Sequence, residues 1–166
     1  MLCVSTMSIL SRERNAEFGV FGACLHENYM GYRRDGRECA LQMLYGRDIG
    51  EISDDEILRA WRAMDEFTPQ VLEFAEQLFT GVSARLDELD RLIQSHAQNW
   101  RLGRMAAIDR NVLRLAAYEL LTDEKSPDSA IINEAIELAR KFSTQDSTQF
   151  VNGILDSIRK SMEKQS

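Results

Sequence analysis

Apolar residues recur at helical spacing through most of this chain. The longest stripe follows Thr68-Pro69, a hydroxyl N-cap and then proline at the first helical position, where no amide donor is missed. Val71, Leu72, Phe74, Ala75, Leu78, Phe79, Val82, Leu86, Leu89, Leu92 and Ile93 carry the period onward to about His96. That spacing predicts one long helix, with Gly81 marking a bend or a close contact. Upstream, Ala40, Leu41, Leu44 and Tyr45 predict a helix over about 33–47. Ser53-Asp54-Asp55-Glu56 has capping-box spacing and leads into Ile57, Leu58, Trp61 and Met64. The segment 105–122 is apolar on more than one side, which places its helix at the centre of a bundle. A polar break containing Pro127 separates it from helices over about 129–142 and 146–162, the last capped by Asp146. The sum is an all-α fold, a single-domain bundle of about six to seven helices.

Residues 1–31 show no sustained period, and Met30 stands directly before Gly31-Tyr32-Arg33-Arg34. They read as a disordered N-terminal extension produced by a start codon assigned too far upstream, with a functional arm as the sharper alternative. The domain is expected over 32–162. No stretch approaches the roughly 20 unbroken apolar residues that span a bilayer, so a soluble protein is expected. Cys3, Cys24 and Cys39 fit neither a zinc pattern nor a disulfide framework, which points to a reducing compartment. Cys39 is expected as a small core residue.

The net charge is −7, awkward for a nucleic-acid binder, but the acid is unevenly placed. Between Glu51 and Asp90 there are eleven acids against three arginines, so any nucleic-acid surface must lie away from that segment. His26 and His96 lack companions at an interpretable spacing, and there is no phosphate loop or His/Cys cluster. Neither an enzymatic role, a cofactor nor a metal is expected. Arg33, Arg34 and Arg37 are the better candidates. Offsets of one, three and four put Arg33 and Arg37 on one helix face with Arg34 beside them. Planar guanidinium groups suit phosphate, and three cations at a helix start oppose the macrodipole until an anion relieves them.

Two strings in order, Arg33-Arg34-Asp35-Gly36-Arg37-Glu38-Cys39-Ala40-Leu41-Gln42-Met43-Leu44-Tyr45 and INEAIELARKFSTQDSTQFVNGIL over 132–155, resemble the NusB family. The resemblance covers roughly residues 32–160 and implies a NusB-like helical domain. It implies a cytoplasmic transcription antitermination factor that binds boxA-type single-stranded RNA jointly with the ribosomal protein NusE. In that role it would serve the RNA polymerase antitermination complex on ribosomal RNA operons. It also implies that Arg33, Arg34, Arg37 and Gln42 on the first helix, with Ser147, Gln149 and Phe150 near the last connection, contact RNA. Phosphate would meet the arginines, base edges Ser147 and Gln149, and a stacked base Phe150, unless Phe150 packs beneath the helix. Asn133-Glu134 is expected to open the preceding helix and order the site indirectly.

The acidic 51–90 segment would complement a basic NusE-type partner, with Tyr45 and Glu88 as interface positions. Asp35, Gly36 and Gln149 depart from the family's basic pattern or weaken the helix start, which favours the rival of a protein-interaction module with weakened or lost RNA binding. NusB-like domains also occur fused to ribosomal RNA methyltransferases, but no βαβ segment is present here to hold a methyl donor. Monomer and homodimer both remain open.

Overall fold

A computed structural model describes residues 31–50 and 52–163; the expectation for residues 1–31 lies, but for Gly31, outside them. Among the described residues there are seven α-helices, one 3-10 turn and no strand. They are α1 (Tyr32–Ile49), α2 (Asp54–Arg62), α3 (Pro69–Ala84), α4 (Leu86–His96), the 3-10 turn Leu102–Arg104, α5 (Ala107–Thr122), α6 (Asp128–Phe142) and α7 (Gln145–Glu163). No described helix is long and apolar enough to cross a membrane.

Local chemistry sets most of the boundaries. Ser53 and Glu56 form the reciprocal capping box at the start of α2, and the Thr68 hydroxyl accepts from the Val71 amide ahead of Pro69. At α7 the cap is Thr144, whose hydroxyl accepts from the Ser147 amide at 3.4 Å; Asp146 lies within the first turn instead. The expected long helix over 69–96 is two helices. Arg85 (φ −115°, ψ 19°) leaves helical geometry, and α4 starts directly after it with the apolar period intact.

The centre of the bundle is α5, which packs against α1, α3, α4, α6 and α7. Asn111 to Ala117 are buried in unbroken succession, so this helix has no solvent face through its middle. Phe79, Leu89, Ile93, Leu113, Ile131, Leu155 and Ile158 meet around it with almost no exposed surface, and Cys39 is a core thiol beside them. Removing each such large side chain from water contributes about 1.5–3 kcal/mol. Two close approaches fix the packing of α3. A Cβ on Gly81 would enter the Tyr118 ring of α5, so Gly81 is a contact point and not a bend. A Cβ on Gly36 would lie 2.6 Å from Phe74 Cδ1, so this glycine admits α3 against α1.

Candidate nucleic-acid interface

Phe74 organises the start of α1. The Tyr32 ring meets it edge-on at 6.1 Å, and the Arg33 and Arg37 guanidiniums lie 5.2 and 5.7 Å from its centroid. Arg33 and Arg37 therefore do share a face, as their offsets require, but that face turns toward α3 and α5. Arg37 is only 8% exposed and grips Glu119 of α5, itself 4% exposed, through contacts of 2.8–3.1 Å. Its guanidinium is engaged in a buried ion pair. Arg33 is half-buried and donates to Asp123 at 2.7 Å and Ser126 at 3.1 Å.

Arg34 is the outward member. It is 58% exposed and makes a two-pronged contact with Glu134 at 2.6 and 3.1 Å. The hydrogen bonds that Arg34 donates to Glu134, then the Glu134 charge, raise the Arg34 pKa; the same bonds hold the Glu134 carboxyl below its ordinary value. Burial pushes the Asp123 carboxyl up, but bonds from Ser126 and the Lys125 amide, with the charge of Arg33, outweigh it and hold it down. Glu134 lies inside α6 rather than at its start, so it orders the arginine directly. One turn beyond Arg34, Glu38 takes Lys141 of α6 at 2.6 and 2.8 Å, and Gln42 follows half-buried on the same stripe of α1. Four cations of this edge thus carry a carboxylate of the chain itself: Arg33–Asp123, Arg34–Glu134, Arg37–Glu119 and Lys141–Glu38.

The first turns of α7 pack on the start of α5 through Asp109. Ser147 is buried, bonding the Asp109 carboxylate at 2.9 Å and sharing contacts with Ser143 and Thr144, so its hydroxyl anchors the connection. Gln149 is exposed. Phe150 is half-buried against the core, and its ring meets the Trp100 ring edge-on at 5.8 Å. Trp100 itself is 57% exposed. Trp100 and Lys141 stand beside these residues without having been among the expected contacts. The signal was present for the first in Trp100-Arg101-Leu102-Gly103-Arg104, an aromatic interleaved with arginines, and for the second in Arg140-Lys141.

The proposed partner positions lie elsewhere. Tyr45 is half-buried on α1, and Glu88 is exposed on α4 with Arg85 at 2.7 Å. The two helices meet through Arg114 of α5, which bonds Asp48 of α1 at 3.0 Å and Asp90 of α4 at 2.7 and 2.8 Å. Asp55, Glu56, Asp65, Glu66, Glu73, Asp87 and Glu88 are exposed, so the acidity of the segment is a property of the surface. Among the described residues no cluster of His, Cys, Asp or Glu could hold a metal ion.

Fold and edge together define an all-helical, single-domain bundle with an arginine-bearing polar margin. The model of the NusB family matches residues 34–160. The chain is 43% identical over 134 residues to the transcription antitermination protein NusB of Koribacter versatilis, covering 80% of this chain and 92% of that protein. Among solved structures it resembles NusB of T. maritima, with a TM-score of 0.70, 37% identity and coverage of 77% of this chain and 90% of that one. The fold is also that of NusB in a structure of NusB and NusE with double-stranded RNA (TM-score 0.71, 24% identity, 80% and 98% covered). The chain belongs to the NusB family.

Proposed function

We propose that this chain is a cytoplasmic transcription antitermination factor that binds boxA-type single-stranded RNA together with the ribosomal protein NusE. In this role it delivers both to the RNA polymerase antitermination complex on ribosomal RNA operons. Its work is binding, with no bond made or broken. The observation that carries this is membership of the NusB family over residues 34–160, in which the K. versatilis relative is named for antitermination.

The residues divide by what they can reach. Arg34 is the primary phosphate contact, because its guanidinium is exposed and a phosphate need displace only the half-buried Glu134 carboxylate to pair with it. Arg33 and Lys141 flank it, with Gln42, Gln149 and Phe150 further along the strand's course. Arg37 and Ser147 act as positioning residues: one fixes the first turns of α1 through Glu119, the other fixes the α6–α7 connection through Asp109. The acidic surface between Ser53 and Asp90, with Tyr45 and Glu88 at its margin, takes the basic ribosomal protein and steers its approach.

A second function, a protein-interaction module that no longer holds RNA, is favoured by one observation: the edge's four cations are already matched by four carboxylates. Fluorescence anisotropy of labelled boxA-type RNA separates the two. Sequence-specific binding that tightens when NusE is added supports antitermination. NusE binding with no response from boxA or scrambled RNA supports the interaction module.

A further inference from the structure

The eight residues between α4 and the end of the 3-10 turn, Ala97 to Arg104, form a feature that the arginine edge does not use. Gln94 braces them with one side chain: its amide donates to the carbonyls of Trp100 at 2.9 Å and Ala97 at 3.4 Å, and its oxygen accepts from the Leu102 amide at 2.8 Å. The loop is therefore held in shape before anything binds. It encloses a hollow of about 340 Å³ lined by Gln94, Gln98, Asn99, Trp100, Arg101 and Arg104. That is within the range of small-ligand clefts.

Three properties define the occupant. The Trp100 ring stands in solvent with its position secured by edge-on contact with Phe150, so a flat apolar face is offered outward. Arg101 and Arg104 are exposed, and neither guanidinium has an ion pair or side-chain hydrogen bond among the described residues. This contrasts with Arg33, Arg34 and Arg37, each of which is matched by a carboxylate. Finally, no acid lines the hollow, on a chain whose net charge is −7. An aromatic face between unneutralised guanidiniums suits a nucleotide: the base stacks and the phosphates find cations that need not first release a carboxylate.

We propose that the Trp100 hollow is a second RNA subsite, in which one base of a single strand stacks on Trp100 while Arg101 and Arg104 hold the adjoining phosphates. The inference rests on the RNA-binding function above and extends it, because Phe150, placed in the RNA path there, meets Trp100 edge-on at 5.8 Å. A strand gripped at Arg34 runs past α7 and continues over Trp100.

The test uses the full chain and a boxA-type RNA carrying unstructured uridine tails. RNA binding quenches tryptophan emission in the wild-type protein through Trp100, since Trp61 is buried against Phe67. Trp100→Ala weakens binding roughly 5- to 150-fold, the worth of one base–aromatic stack. Trp100→Phe keeps most of the affinity and loses the quench. Arg101→Ala with Arg104→Ala lowers the log–log salt slope by about 1.4, two single-strand phosphate contacts. If Trp100→Ala binds as wild type without quenching while Arg34→Ala binds weakly, the subsite is overturned and the arginine edge stands. If the wild-type chain binds no RNA, with or without NusE, both fail together.

Discussion

Replacing Arg37 by alanine should damage the fold more than any local RNA contact. The Arg37 and Glu119 side chains are 8% and 4% exposed, and the guanidinium makes three contacts with the carboxylate at 2.8–3.1 Å. Its removal strands the Glu119 charge inside the bundle, and breaking a buried pair by losing one partner costs about 3–5 kcal/mol. For a chain of this size each kcal/mol moves the melting midpoint by roughly 2–4 °C, so Arg37→Ala should lower it by about 6–20 °C. Arg34→Ala breaks an exposed pair worth roughly 0.2–1 kcal/mol and should shift the midpoint by less than about 4 °C. The double variant Arg37→Met with Glu119→Leu removes both charges and should recover most of the loss, since apolar replacement of a buried pair is often neutral. Thermal and urea melts of the four proteins decide the matter. Arg37→Ala melting with the wild type, while losing RNA, would refute the positioning role and return Arg37 to the phosphate-binding set.

Glu134→Gln releases Arg34 from its carboxylate; relieving a pair worth roughly 0.2–1 kcal/mol should tighten RNA binding about 1.4- to 5-fold in a filter-binding assay. Gly81→Ala should destabilise the protein in thermal melts by about 1–3 kcal/mol through the Tyr118 ring, although helix propensity alone predicts a gain of about 1 kcal/mol. Acid should unfold the protein in a defined window: Asp48, Asp123 and Glu134 have folded pKa values below their ordinary 3.8 or 4.5. Their stabilisation is present above those ordinary values and is lost as pH falls through the lowered ones, so urea midpoints should fall steeply only below about pH 4.5.

Much of the fold was legible because its signals are local. Ser53 with Glu56, Thr68 before Pro69, and the break at Pro127 each fix an end through neighbours in sequence. The all-round apolar character of 105–122 told that its helix is central, and the structure surrounds α5 with five others. What escaped was set by distant partners. The period runs unbroken from Val71 to Ile93, so nothing local marks the departure at Arg85; α4 takes its place through Asp90 meeting Arg114. Gly36 read as a weak helix start because Phe74, which needs the space, lies far along the chain. Offsets correctly paired Arg33 with Arg37 but could not tell which way their shared face turned, since Glu119 is 82 residues from Arg37. The bond from Ser147 to Asp109 is equally invisible to local pattern, since the two lie 38 residues apart.

The RNA-facing role of α1 is tested most directly by the salt dependence of boxA binding, measured for wild type and Arg34→Ala. Arg34 stands outward with only Glu134 to release, so its loss removes one phosphate contact. The log–log slope should then shrink by about 0.7, the single-strand value per phosphate, with affinity falling for boxA and scrambled RNA alike. Parallel lines of equal slope would contradict the account, and would mean that this edge of the bundle does not hold the phosphate backbone.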